Sequence, residues 1–115
     1  MRNLITSFGN AFNGLKYALR KEQNLRIEMF AAVFVVATMI LIPVERWEAI
    51  VLILVIACVL VLEVFNTFLE RLINIFKPRV HPQVRALKDL MAAVVFLASL
   101  AAAVVGILIF WPYVI

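Results

Sequence analysis

The chain has 115 residues, is 66% hydrophobic, and has a mean hydropathy of +1.08. A soluble domain of this length is nearer half apolar, so this composition excludes a water-soluble protein and implies a lipid-embedded one. The net charge of +4 says less than where the charges fall, and the single cysteine, Cys58, excludes an intrachain disulfide and reads as a buried small hydrophobe.

Residues 1–23 are amphipathic. Leu4, Ile5, Phe8, Ala11, Phe12, Leu15 and Leu19 recur at helical spacing, while Arg2, Asn3, Asn10, Asn13, Lys16 and Arg20 take much of the rest. The segment is too polar to span a bilayer and suits a helix lying in the interface. Gly9 and Gly14 weaken that helix by about 1 kcal/mol each relative to alanine. The first long apolar run comes only after Arg20, Lys21, Glu22 and Arg26, so no cleaved signal peptide is expected.

Residues 25–44 form the first spanning candidate, with Pro43 near its end. At a rise of about 1.5 Å per residue it matches a hydrocarbon thickness of about 30 Å. Glu45-Arg46-Trp47-Glu48 reads as a short polar turn in which both carboxylates are solvated and Trp47 anchors at the interface. Residues 49–76 form the second span. It is apolar through Leu62 and then carries Glu63, Asn66, Thr67 and Glu70, which share one helical face. Residues 77–88 are a polar connection holding Pro78, His81 and Pro82, and residues 90–111 form the third span. That run is rich in alanine, has Ser99 as its lone polar side chain, and closes on Trp111, Pro112 and Tyr113. The expected architecture is an all-α membrane protein, one domain over 1–115, with a surface helix and three transmembrane helices.

Lysine and arginine set the orientation. Arg2, Lys16, Arg20, Lys21 and Arg26 precede or open the first span, and Arg71, Lys77, Arg79, Arg85 and Lys88 flank the second connection. Of the 11 basic residues, only Arg46 falls on the other side. The positive-inside rule makes the N terminus cytoplasmic and the C terminus external.

This topology brings Glu22, Asn24, Arg26 and Glu28 to the same end of the bundle as Glu63, Asn66, Glu70, Lys88 and Asp89. An intramembrane carboxylate is a functional-site hypothesis by default. Carboxylates from different helices can hold Mg²⁺, whose coordination is completed by phosphates and water. Lysine and arginine neutralise phosphate charge. Glu63, a turn or two deeper than Glu70, fits a base for a lipid hydroxyl. Together these residues read as a kit for phosphoryl transfer, without a P-loop or a protein-kinase glycine loop. For single residues the plain readings stand beside this one. Glu22 and Glu28 taken alone are solvated or lysine-paired carboxylates, His81 is a loop side chain, and the basic residues set topology and touch anionic lipid. Another class also accounts for Glu63, a small oligomeric proton-coupled transporter or channel. A structural membrane subunit is disfavoured by the polar stripe.

The pattern Glu63-x-x-Asn66-Thr67-x-x-Glu70 followed by Lys88-Asp89 resembles the signature of the prokaryotic diacylglycerol kinase family, which includes undecaprenol kinases. The resemblance covers nearly the whole chain. It implies a bacterial inner-membrane homotrimer with active sites shared between subunits, using ATP and Mg²⁺ to phosphorylate a lipid alcohol, with no nucleic-acid partner. It further implies Glu63 as catalytic base and Glu22 and Glu70 as metal ligands. Asn66, His81, Lys88 and Asp89 fall at nucleotide-binding positions, and Asn24, Arg26 and Glu28 at supporting or substrate-binding positions. Glu22-Gln23-Asn24-Leu25-Arg26-Ile27 is similar to the undecaprenol kinase branch. Three positions depart from the family pattern. Asn10 stands where an aromatic residue usually packs on adenine, Asn74 replaces an acidic residue, and Phe68 replaces an alanine.

Overall fold

The computed structural model describes residues 2–76 and 82–115. Among them the chain forms helices α1 (Arg2–Lys21), α2 (Gln23–Leu41), α3 (Arg46–Phe76) and α4 (Pro82–Val114). The last three are long and apolar enough to cross a membrane.

The break between α1 and α2 is a single extended residue, Glu22, with φ −108° and ψ 114°. The last carbonyls of a helix have no donor within it. Here Arg26, one turn into α2, reaches back. Its Nη1 donates to the carbonyls of Leu19 and Arg20 at 2.8 and 3.0 Å. One cation thus caps α1 and fixes the angle of the elbow.

Helix α2 stops at Leu41, short of Val44, because Pro43 has no N–H to continue the ladder. Helix α3 starts at Arg46 rather than Ala49 because Glu48 caps it. Its carboxylate accepts the Glu45 N–H at 2.9 Å, the reciprocal half of a capping box. This corrects the reading of Glu48 as a solvated loop charge, while Glu45 is an exposed residue of the connection, as expected. Glu48 is 9% exposed and also accepts a hydrogen bond from the Tyr113 hydroxyl, while Glu45 accepts from the Trp47 indole at 2.5 Å. Helix α4 begins at Pro82, ahead of the apolar run, since proline suits a first helical turn. Lys88 and Asp89 therefore stand on a helix and not at the end of a loop.

With 31 and 33 residues, α3 and α4 run about 46 and 50 Å, longer than a hydrocarbon core of about 30 Å, so their polar ends project beyond it. They form an antiparallel pair. The start of α3 meets the end of α4 through Glu48 and Tyr113, and the end of α3 meets the start of α4 through Asn74 and Lys88. Helix α2 packs beside them, and α1 lies across the α2–α3 end.

The result is a slab, 52 × 42 × 20 Å. Leu25, Leu52, Val59, Met91, Val95 and Ile109 are buried along its middle, while Phe30, Phe34, Ile40, Leu54, Phe96 and Leu108 are exposed. Such exposure would be untenable in water and is ordinary against lipid tails. Cys58 is exposed as well, not buried, because it lies on a face of α3 that no other described helix covers.

Candidate functional site

The stripe on α3 turns inward. Glu63 and Thr67 are 2% and 7% exposed, and Asn66 and Glu70 are half-buried. Thr67 satisfies its hydroxyl within the helix, donating to the Glu63 carbonyl at 3.2 Å. Glu63 does not share that comfort. Among the described residues its Oε2 is buried with no hydrogen-bond partner. A buried oxygen left in that state costs roughly 1–3 kcal/mol, more if charged. Phe68 lies on the opposite, exposed face, its ring 5.9 Å from that of Phe65.

Glu70 lies two turns further along α3, at the level of the elbow. Glu22, the extended residue, swings its side chain to it, and the two carboxyl groups share a hydrogen bond. Burial first, then that hydrogen bond, then the charges of Glu70 and Glu63 push the Glu22 carboxyl above the usual range. The elbow that Arg26 braces is therefore what presents a carboxylate of one helix to a carboxylate of another.

These two residues open on a polar cleft of about 410 Å³ whose lining also includes Tyr17, Lys21, Thr67, Arg71 and Asn74. Arg71 donates to the Tyr17 hydroxyl and places its guanidinium carbon 4.6 Å from the ring centroid. Lys21 Nζ lies 6.0 Å from the same ring. Lys88 reaches the rim of the cleft from α4, donating to Asn74 Oδ1 at 3.2 Å.

The expected site residues thus divide. Glu22 and Glu70 come together, with Lys88 joined through Asn74, while Glu63 lies two turns deeper on α3 and outside the cleft lining. Glu28 sits deeper on α2 and accepts a hydrogen bond from Ser99 of α4 at 3.2 Å, which accounts for the lone polar residue of that span. Arg26 braces the elbow. Asn66, Asn24 and Asp89 do not line the cleft, and the last two are exposed. His81 lies outside the described residues. Tyr17 had no signal in the sequence, and Lys21 and Arg71 were legible only as topology charges. The one available hint was spacing, since Tyr17 and Lys21 are one helical turn apart and Arg71 adjoins Glu70.

A second cavity, of about 260 Å³, lies between α2, α3 and α4 and is apolar. Ala31, Ala32, Val59, Ala102 and Gly106 line it, with Glu28 and Ser99 at its polar edge.

Two carboxylates do not make a closed metal cage. Among the described residues no three His, Cys, Asp or Glu side chains gather where they could hold a metal ion. The pair does fit Mg²⁺, which commonly takes one or two protein carboxylates and completes its shell with phosphates and water. The closeness of Glu70 is one of the causes that raise the Glu22 carboxyl, and a divalent cation between the two would relieve their repulsion.

The family model of prokaryotic diacylglycerol kinase matches residues 9–110. The chain belongs to the prokaryotic diacylglycerol kinase family. A diacylglycerol kinase of Synechocystis sp. is 35% identical over 105 residues, covering 90% of this chain and 60% of that protein. The chain therefore spans 60% of the length of that relative. An undecaprenol kinase of Bacillus subtilis is 28% identical over 112 residues, covering 97% of this chain and 91% of that protein. Membership of this kinase family, together with the three long apolar helices, makes the chain a multi-pass membrane protein. The match takes in the elbow, the α3 stripe and the Asn74–Lys88 contact, so the cleft lies wholly within the family's region.

Proposed function

We propose that the protein phosphorylates a membrane lipid alcohol with ATP. The observation that carries this reading is Glu63, a buried carboxylate with an unsatisfied oxygen. A lipid hydroxyl brought to that oxygen would supply the missing donor. Glu63 would then take the hydroxyl proton as the lipid oxygen attacks the γ-phosphorus. The new phosphorus–oxygen bond forms to the lipid, the bond to the β-phosphate breaks, and ADP leaves.

Glu22 and Glu70 would hold Mg²⁺ beside this point. When bound, the ion would neutralise charge on the transferred phosphoryl group. Lys88 and Asn66 would serve the nucleotide, with Asp89 and His81 as further nucleotide-binding positions. Asn24 and Glu28 would support the lipid side, and Arg26 would hold the elbow. The apolar cavity beyond Glu28 is suited to part of a lipid tail.

The lipid is undecaprenol or diacylglycerol, the substrates in the names of the two relatives. The Glu22–Ile27 segment favours undecaprenol. Family membership does not favour the transporter alternative. We infer a homotrimer with shared sites. The exposed apolar faces of a slab 20 Å thick support it, because neighbouring subunits would cover them and close the open side of the cleft. Helix α1 would lie on the cytoplasmic face of the inner membrane, with the C terminus outside. Its exposed Leu4, Ile5, Phe8 and Phe12 would enter the lipid boundary.

The test is phosphate transfer from labelled ATP, and in parallel from GTP, to undecaprenol and diacylglycerol by purified protein. Labelled lipid phosphate is the expected product, and transfer that survives Glu63→Gln at near the wild-type rate would overturn the assignment of the base.

A further inference from the structure

We propose that Arg71, seated on Tyr17, is a phosphate-binding residue of the donor nucleotide, with Lys21 as its partner cation. The proposal rests on the kinase reading above and assigns residues that the motif does not contain.

Among the described residues Arg71 forms no ion pair with a carboxylate. It lines a cleft that also holds Glu22 and Glu70, both carboxylates, and an exposed arginine beside carboxylates ordinarily pairs with one. Arg71 instead lies on a neutral ring. It donates to the Tyr17 hydroxyl and stacks 4.6 Å from the ring centroid, with Lys21 6.0 Å from the same ring. A cation–π contact holds a guanidinium in place without cancelling its charge. Two cations on one ring also repel each other, which an anion between them would relieve.

The cleft therefore offers two kinds of charge. Its carboxylates suit a divalent cation, and its cations suit phosphate oxygens. One ligand that satisfies both is a metal-bound polyphosphate. The guanidinium fork suits phosphate particularly well, and charge-assisted hydrogen bonds of this kind are the strong ones. Tyr17 is then a positioning residue. It comes from α1, and α1 is held to α2 by Arg26, so the elbow sets the cation pair and the carboxylate pair facing one cleft. A phosphate of ATP and the phosphate of an anionic lipid headgroup share this chemistry, and the experiment must separate them.

Initial rates of transfer from ATP are measured at saturating lipid and Mg²⁺ for wild type, Arg71→Gln, Arg71→Lys and Tyr17→Leu. Each is assayed in neutral detergent and again in phosphatidylcholine vesicles with and without phosphatidylglycerol. Arg71→Gln is expected to raise the KM for ATP roughly 10- to 100-fold, the effect of one charge-assisted contact. Its kcat and its KM for lipid should stay within about threefold. Arg71→Lys should recover part of the loss, since charge remains and the fork does not. Tyr17→Leu should raise the KM for ATP by a smaller factor, because the cation stays but loses its seat. An unchanged KM for ATP in Arg71→Gln, with wild type active, overturns the proposal and leaves the kinase reading standing. A defect that appears only with phosphatidylglycerol overturns it in favour of headgroup binding. Wild-type protein that transfers no phosphate from ATP to either lipid removes the underlying reading and the proposal with it.

Discussion

Glu22 and Glu70 share a hydrogen bond across the junction of α1, α2 and α3. Neither residue is near the other in sequence, and the contact exists because the chain is extended at Glu22. Two carboxyl groups in contact can share one proton comfortably but cannot both ionise without repulsion.

This sets a pH dependence of stability. The folded-state pKa of Glu22 is raised by burial and by Glu70, so the native state holds a proton that the unfolded chain releases earlier. The contribution is fully present below the unfolded value near 4.5 and is lost as pH rises through the folded one. Thermal unfolding in detergent without divalent cation should thus show a lower Tm at neutral than at mildly acidic pH. Glu22→Gln should flatten that difference, and an equally steep profile in the variant would assign the effect elsewhere.

Mg²⁺ should reverse the penalty. A cation between the carboxylates replaces the proton, so added Mg²⁺ should raise the Tm more at neutral pH than at acidic pH. Glu70→Gln should shift the Mg²⁺ dependence of phosphate transfer to higher concentration, by roughly tenfold or more if one charged ligand is lost. A metal titration that coincides with wild type would exclude Glu70 as a ligand.

Glu63→Gln should behave differently from both. Removing a general base lowers kcat by roughly 10²- to 10⁴-fold. Helical content and Tm should not fall, since a neutral amide is cheaper to bury at this position than a carboxylate. Circular dichroism alongside single-turnover rates separates loss of chemistry from loss of fold.

Arg26→Ala should loosen the elbow. It removes two charge-assisted bonds from an exposed cation to the end of α1, worth about 1 kcal/mol together after solvent screening. The stability change should be small, and the larger readout should be a raised KM for ATP as Glu22, Lys21 and Tyr17 lose their shared orientation. A variant with lower Tm but wild-type KM would make Arg26 a cap and nothing more.

Tyr113→Phe tests the other end of the molecule. It deletes the hydroxyl that donates to buried Glu48, leaving the carboxylate with fewer donors. The expected result is a modestly lower Tm. Phosphate transfer at a permissive temperature should match wild type, because this contact lies at the far ends of α3 and α4 from the cleft.

Much was legible in the residues alone. Long apolar runs with few glycines and prolines can satisfy their backbone in lipid only as helices, so the three spans follow from composition and spacing. The stripe of Glu63, Asn66, Thr67 and Glu70 follows from helical periodicity, and its link to Lys88-Asp89 is the pattern of the family to which the chain belongs. What the residues could not show was which face of α3 turns inward and what meets it there. Cys58 and Glu63 stand on the same helix in the same apolar setting, yet one is exposed and the other buried. That choice depends on how α1, α2 and α4 pack against α3. The pairing of Glu22 with Glu70, of Arg71 with Tyr17 and of Glu28 with Ser99 joins residues far apart in the chain, and no local spacing encodes such contacts. The first two exist because a single extended residue lets α1 fold back beside α3, and the third because α2 and α4 both pack on α3; a carboxylate's chemistry is set by the groups that fold brings to it.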